Sequence, residues 1–235
     1  LVVFEFQMGR GRAGPKEFLQ GFRGKLQCDG YGAYAKLGEG ITYVACGAHL
    51  RRGFVDAAKL APLDSRPQEI VARFAELYAV EQEARERGLG AEARWALRQA
   101  KSAPVMAALK ARLVVIRQAI APGGKLAQAC DYALDQWSRW EEYLRDGSLE
   151  IDNNWCEGAM RPLALGRKNW LHLGSPEAGP KVAAIASIVE TCRRLDINVR
   201  TYLLDILPKL GEWPINRVGE LTPTAWKTAR AAKPS

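Results

Sequence analysis

The stretch from Asp64 to Asp146 constrains this chain most: it carries helical signals throughout and interrupts a region that otherwise alternates strand and helix. Ser65 with Gln68 reads as a capping box, and Pro67 falls in a first helical turn, where a missing amide proton costs nothing. Ile70, Phe74, Leu77 and Tyr78 then recur at helical spacing. Pro104 interrupts a second stretch, and Val105, Leu109, Leu113, Ile116 and Ile120 resume the pattern until Pro122-Gly123-Gly124. Leu126, Cys130, Ala133, Trp137, Trp140 and Leu144 predict a third stripe, closed by Asp146-Gly147. Aromatic residues on such stripes are expected to face a core.

Around this block the periodicity changes. Residues 1–6, 25–28 and 42–46 read as strands, with a short helix over 16–22, which favours an α/β sheet. Beyond Ile151 a short helix, capped by Asp152 or Asn153, is expected among Asn- and Gly-rich turns. A helix over 181–194 should turn Val182, Ile185, Ile188 and Val189 inward. Asn198 should cap a last helix, with Val199, Tyr202, Leu203 and Ile206 on its apolar side, stopping before Pro208. Residues 224–235 read as a mobile basic arm.

The formal charge of +8 suits a polyanionic partner such as nucleic acid, although charge alone does not identify one. The five cysteines are odd in number and widely spread, with no signal peptide or membrane-length apolar run, so reduced intracellular thiols are expected. Cys46-Gly47-Ala48-His49 offers half a metal-ligand pair, but no second pair at finger spacing makes a structural zinc site. The glycine-rich run 9–14 lacks a P-loop's Gly-Lys-Ser/Thr ending, and neither His49 nor His172 lies in a nucleophile motif.

Two acids stand out. Asp29 directly follows a predicted strand, where ligands of open α/β sheets gather; it could face a metal, or simply cap the turn after it. Glu157 sits one turn into the predicted short helix, with Arg161 one turn further on the same face. It could be a catalytic acid or half of a surface ion pair. Arg167-Lys168-Asn169-Trp170 could contact phosphates or be a solvated surface.

Taken in order, the motifs are more specific. They begin with Leu26-Gln27-Cys28-Asp29-Gly30-Tyr31-Gly32-Ala33-Tyr34, Cys46-Gly47-Ala48-His49-Leu50-Arg51-Arg52-Gly53-Phe54 and Leu77-Tyr78-Ala79-Val80-Glu81. Asp152-Asn153-Asn154-Trp155-Cys156-Glu157-Gly158-Ala159-Met160-Arg161-Pro162 and Gly166-Arg167-Lys168-Asn169-Trp170-Leu171 follow. The series resembles the insertion sequence 66 family of transposases over essentially the whole chain.

That resemblance implies an α/β ribonuclease-H-like core with an incomplete sheet, a large all-helical insertion and a small helical C-terminal domain. The expected division is 1–63 for the first part of the core, 64–147 for the insertion, 148–182 for the glutamate helix and basic turn, 183–223 for the C-terminal domain and 224–235 for the tail. It also implies a DDE site binding two Mg²⁺ ions, with Mn²⁺ as substitute, in which Asp29 is the second aspartate and Glu157 the glutamate. Asn153, Asn154, Arg161, Arg167, Lys168, His49, Arg51 and Arg52 are the implied nucleic-acid contacts. The partners would be insertion-sequence ends, target DNA and further transposase subunits, in a bacterial cytoplasm near the nucleoid, with no membrane role. The family's first aspartate would precede Leu1, so the chain is expected to be N-terminally truncated, to bind metal weakly, and to be inactive alone. A DNA-binding or assembly remnant without catalysis is the alternative, and a purely structural helical protein a third reading. Gly158 stands where the family usually has arginine.

Overall fold

The computed structural model describes residues 1–170 and 174–231, the side chains of Arg167 and Trp170 excepted. In chain order the elements are α1 (Ala13–Phe18), β1 (Gly24–Cys28), β2 (Ile41–Ala45), α2 (Gly47–Leu60), α3 (Ser65–Glu86), α4 (Ala91–Leu97) and α5 (Ala103–Gln118). They continue with α6 (Lys125–Asp135), α7 (Trp137–Arg145), α8 (Asn154–Trp170), α9 (Ala178–Arg194), α10 (Val199–Leu210) and α11 (Pro223–Ala231). The chain forms two compact units, Pro15–Trp155 and a second made of Leu1–Gly14 with Cys156–Ser235. Among the described residues it is mostly helical with one small parallel sheet.

In the Pro15–Trp155 unit, β1 and β2 run parallel, with Gly24 opposite Ile41 and Cys28 opposite Ala45. A parallel pair needs a crossover rather than a hairpin, and residues 29–40 supply one through the 3₁₀ turn Gly32–Tyr34. Helices α2, α3, α5, α6 and α7 enclose the core. Phe74 stacks on Trp140 at 5.1 Å between ring centres, and Trp137 meets Trp140 edge-on at 5.3 Å. Trp137 and Trp140 are buried, as the aromatic stripe predicted, and so is Tyr143. Burying each such large side chain contributes about 1.5–3 kcal/mol.

Three local expectations are corrected here. Asp64, not Ser65, caps α3, accepting the Arg66 amide at 3.0 Å, while Gln68 reaches back to the Pro62 carbonyl. Pro104 does not break the chain's path: a π-helical segment, Arg98–Ser102, leads into α5 and leaves Pro104 in its first turn. The third stripe is two helices, parted at Gln136, whose φ of −89° and ψ of −2° depart from helical values.

In the other unit, residues 1–7 belong to no helix and pair with no strand among the described residues, which corrects the predicted first strand. Hydroxyls of α9 hold them instead. The Val2 amide donates to Thr191 Oγ1 at 3.0 Å, and the Phe4 amide to Ser187 Oγ at 2.8 Å. Cys192, Ile197, Tyr202, Ile206 and Leu221 form this unit's core. Asn198 caps α10 by accepting the Thr201 amide at 2.9 Å, as predicted, but the helix runs through Pro208 to Leu210. Ile185 and Val189 do not point inward: they are 65% and 40% exposed and line an open apolar groove of about 550 Å³ with Phe4, Pro162, Leu163 and Val182. The predicted basic arm is largely α11, docked by Trp226 edge-on to Tyr202 at 5.6 Å and by Lys227 donating to the Leu195 carbonyl at 2.6 Å. Its last four residues, 232–235, lie outside the described residues. No helix among the described residues is long and apolar enough to cross a membrane.

Candidate functional site

Asp29 leaves the carboxyl end of β1 half-buried. Its Oδ1 accepts the Tyr31 amide at 3.0 Å, which opens the turn into Gly32–Tyr34. The turn role considered from sequence is therefore filled by one carboxylate oxygen. Tyr132 closes over the adjacent glycine: a Cβ at Gly30 would lie 2.6 Å from Tyr132 Oη, and the Gly30 amide donates to that oxygen. Only a residue without a side chain lets the ring approach so closely. Burial pushes the neighbouring Cys28 thiol up to about 11, the Asp29 charge adding to the effect, so Cys28 stays a protonated thiol.

Glu157 lies in the first turn of α8, where a carboxylate suits the positive end of the helix. Asp152 initiates the helix: its Oδ1 accepts the Asn154 amide at 3.0 Å, and its Oδ2 accepts the Asn154 side-chain amide at 2.9 Å. The helix is longer than predicted. It continues through Pro162, so Lys168 and Asn169 belong to its last turns rather than to a separate basic turn. A Cβ at Gly158 would sit 3.7 Å from Arg194 Nη2, so a guanidinium of α9 lies beside this glycine.

The other candidates divide between the units. His49, Arg51 and Arg52 lie on α2, with both arginines exposed. The backbone amides of His49 and Asn153 both reach the buried Cys46 sulfur, which brings the start of α2 against the segment entering α8. Asn153 Oδ1 is buried and meets no donor among the described residues. Arg161 and Lys168 are exposed on α8, and the Arg167 side chain lies outside the described residues. Asp29 belongs to the Pro15–Trp155 unit and Glu157 to the other.

Sequence reasoning assigned no role to a polar network in the first unit. Glu81 and Arg98, both 0% exposed, pair through two bonds of 2.7 and 2.8 Å, and Arg94 bridges Glu81 to Glu150 at 2.6 Å each. Burial alone would raise the Glu81 pKa, but the bonds and charges of Arg98 and Arg94 outweigh it and leave it lowered. The network grips a strap, residues 143–152, by its main-chain carbonyls. Arg98 donates to Tyr143, Asp146 and Leu149 at 2.7, 2.9 and 2.7 Å, Gln99 to Leu144 at 2.7 Å, and Gln27 to Glu150 at 2.8 Å. The Gly47 amide and Trp140 Nε1 reach the Ile151 carbonyl at 3.0 and 3.3 Å, and Tyr78 Oη donates to Asp152 Oδ2 at 2.6 Å.

Asp146 adds a pH-dependent clasp. Its bonds from Ser148 and Lys25 pull its pKa from 3.8 to about 2. A depressed carboxylate stabilises the fold fully above its unfolded value and loses that contribution as pH falls through the folded one. Asp146→Asn is therefore expected to destabilise the protein at pH 7, and the gap from the unmodified chain should narrow as pH falls from 3.8 through about 2. Urea titrations across that range check it; a gap that has not narrowed by pH 2 contradicts it.

Comparison with known proteins gives the family. The sequence model described as "Transposase IS66 family" matches residues 1–181. Among curated proteins the chain is 36% identical over 236 residues to the uncharacterized protein y4jD of Sinorhizobium fredii (strain NBRC 101917 / NGR234), covering 96% of this chain and 46% of that protein. It is 32% identical over 235 residues to y4hP of the same organism, covering 93% of this chain and 42% of y4hP, so it spans less than half the length of these relatives. No solved structure matches. With its five motifs in order and a family match over most of its length, the chain belongs to the IS66 family of transposases.

Proposed function

We propose that this chain is part of the catalytic region of a DNA transposase with a ribonuclease-H-like core, in which Asp29 and Glu157 are two carboxylates of a DDE set. The observation that carries the reading is the family match over residues 1–181, which takes in both acids and the motifs around them. The 64–147 stretch is read as a helical insertion into that core, and 183–223 as a small C-terminal domain.

The donor chemistry fits Mg²⁺, with Mn²⁺ as substitute, because hard divalent cations favour carboxylate oxygens. Among the described residues no group of three or more His, Cys, Asp or Glu side chains gathers as a metal cluster, so the fit rests on the two acids themselves. Asp29 commits Oδ1 to its own turn, and Oδ2 would be the oxygen offered to a cation. Bound cations would supply activation of a water or 3′-hydroxyl and stabilisation of the leaving oxygen. Exposed Arg51, Arg52, Arg161 and Lys168, together with His49, Asn153, Asn154 and Arg167, are read as contacts to the DNA backbone, where cations fix register without reading sequence. Cutting and joining at insertion-sequence ends, assembly with further subunits and work at the bacterial nucleoid are proposed for the longer protein that the relatives represent.

The test is Mn²⁺-dependent nicking of supercoiled plasmid by the purified chain. Whatever nicking the chain supports is expected to fall roughly a hundredfold or more with Asp29→Ala or Glu157→Ala, as for loss of a group that stabilises transition-state charge. Nicking that survives both substitutions removes the DDE assignment. Salt-sensitive DNA binding without nicking favours the non-catalytic remnant instead.

A further inference from the structure

The motif Leu77-Tyr78-Ala79-Val80-Glu81 has no part in the proposed chemistry, yet Tyr78 bonds to the strap's far end and Glu81 to the arginine that grips the rest. Tyr78 and Glu81 stand three residues apart and so share one face of α3. Glu81 pairs with Arg98, whose other donors hold the Tyr143, Asp146 and Leu149 carbonyls at the strap's beginning and middle. Tyr78 holds Asp152 at its far end, and Asp152 in turn caps the first residue of α8.

We propose that Tyr78 and Glu81 are positioning residues for Glu157, fastening from α3 the strap whose last residue, Asp152, caps the start of α8. The assignment rests on the two-carboxylate reading for its purpose, though not for its geometry. A buried ion pair is a poor way to gain stability, because apolar residues of similar volume do as well or better. A guanidinium that reaches three carbonyls of one segment fixes a path that apolar packing would leave loose. Tyr78 adds a polar contact at the residue on which the helix begins. Its phenol is pushed up by burial and by the Asp152 carboxylate, which keeps the hydroxyl a donor to that carboxylate.

Tyr78→Phe tests this in the full chain with little change of packing volume. The amides of residues 153–157 are expected to exchange roughly tenfold faster, the equivalent of one lost charge-assisted hydrogen bond. Amides of Leu109, Leu113 and Trp140 in the same unit should keep their rates within about twofold. In the nicking assay the half-saturating Mn²⁺ concentration should rise severalfold while DNA affinity stays constant, a shift that a smaller folded fraction would not produce. Glu81→Gln, which keeps the side chain's shape, is expected to accelerate exchange along residues 143–152 as well. Unchanged exchange at 153–157, or acceleration spread evenly over α3, α5 and α7, overturns the proposal whatever the nicking result. Absence of nicking by the unmodified chain, which is expected to be inactive alone, bears on neither the two acids nor the strap and leaves the fastening to be decided by exchange.

Discussion

Glu81→Ala is expected to destabilise the Pro15–Trp155 unit by about 3–5 kcal/mol, because it leaves the Arg98 guanidinium buried without a counter-charge. Both partners are fully excluded from solvent, so water cannot take over the lost bonds. Arg94 would lose one of its two carboxylates and keep only the half-exposed Glu150. The double substitution Glu81→Leu with Arg98→Met removes the stranded charge and should recover part of the loss. Recovery stays incomplete, since the carbonyls of Tyr143, Asp146 and Leu149 then lack their donor, each orphaned group costing about 1–3 kcal/mol. Urea unfolding followed by far-ultraviolet circular dichroism measures both. A single substitution costing under about 1 kcal/mol would show that the pair is wetter than this burial implies.

The second large effect is expected at Gly147, in the turn that α7 leaves. A Cβ there would run into the carbonyl oxygen of Ala91 and approach the Trp95 amide to 2.9 Å. Both obstacles are backbone of α4, which cannot swing aside as a long side chain can. Gly147→Ala must shift the strap or the helix, and either displacement loosens the contacts of Arg98 and Lys25. The expected cost is about 3 kcal/mol or more, at the upper end of what overpacking produces. Gly124→Ala is the control in the same unit: nothing lies within 4 Å of its would-be Cβ, its φ is −71°, and the cost should be about 0.5–1 kcal/mol for a poorer helix cap. Equal losses at the two positions would contradict the close approach.

How much of this was legible depends on whether the deciding neighbour was near in sequence. Asn198 could be read as a cap because its partner, the Thr201 amide, is three residues away. Trp137 and Trp140 could be read as core because a stripe carries its own evidence of a buried face. Glu81 could not. Whether a glutamate in a helix is buried depends on a cation seventeen positions later, and Arg98 lies where the helix takes an extra residue per turn, which periodicity does not register. Ile185 and Val189 mislead in the opposite direction: their spacing is that of inward residues, while the groove they line is open. Trp226 among small and basic residues is an anchor, and it pins α11 through Tyr202 and Asp205. At the candidate site, the residue types around Asp29 and Glu157 were readable from the ordered motifs. Tyr132 over Gly30 and the guanidinium beside Gly158 come from distant helices, and no local pattern announces them.

The grip on the strap has a consequence for how this sequence can drift over time. Arg98, Gln99 and Gln27 seize carbonyl oxygens, which every amino acid possesses, so the grip itself does not depend on which side chains the held positions carry. The restriction passes to the gripping residues, whose length and donor geometry have no substitute nearby. Lineages descended from such a chain should therefore keep the grip through whatever changes the side-chain roles of Tyr143, Asp146, Gly147, Glu150 and Asp152 permit, while arginine and its glutamate change only together.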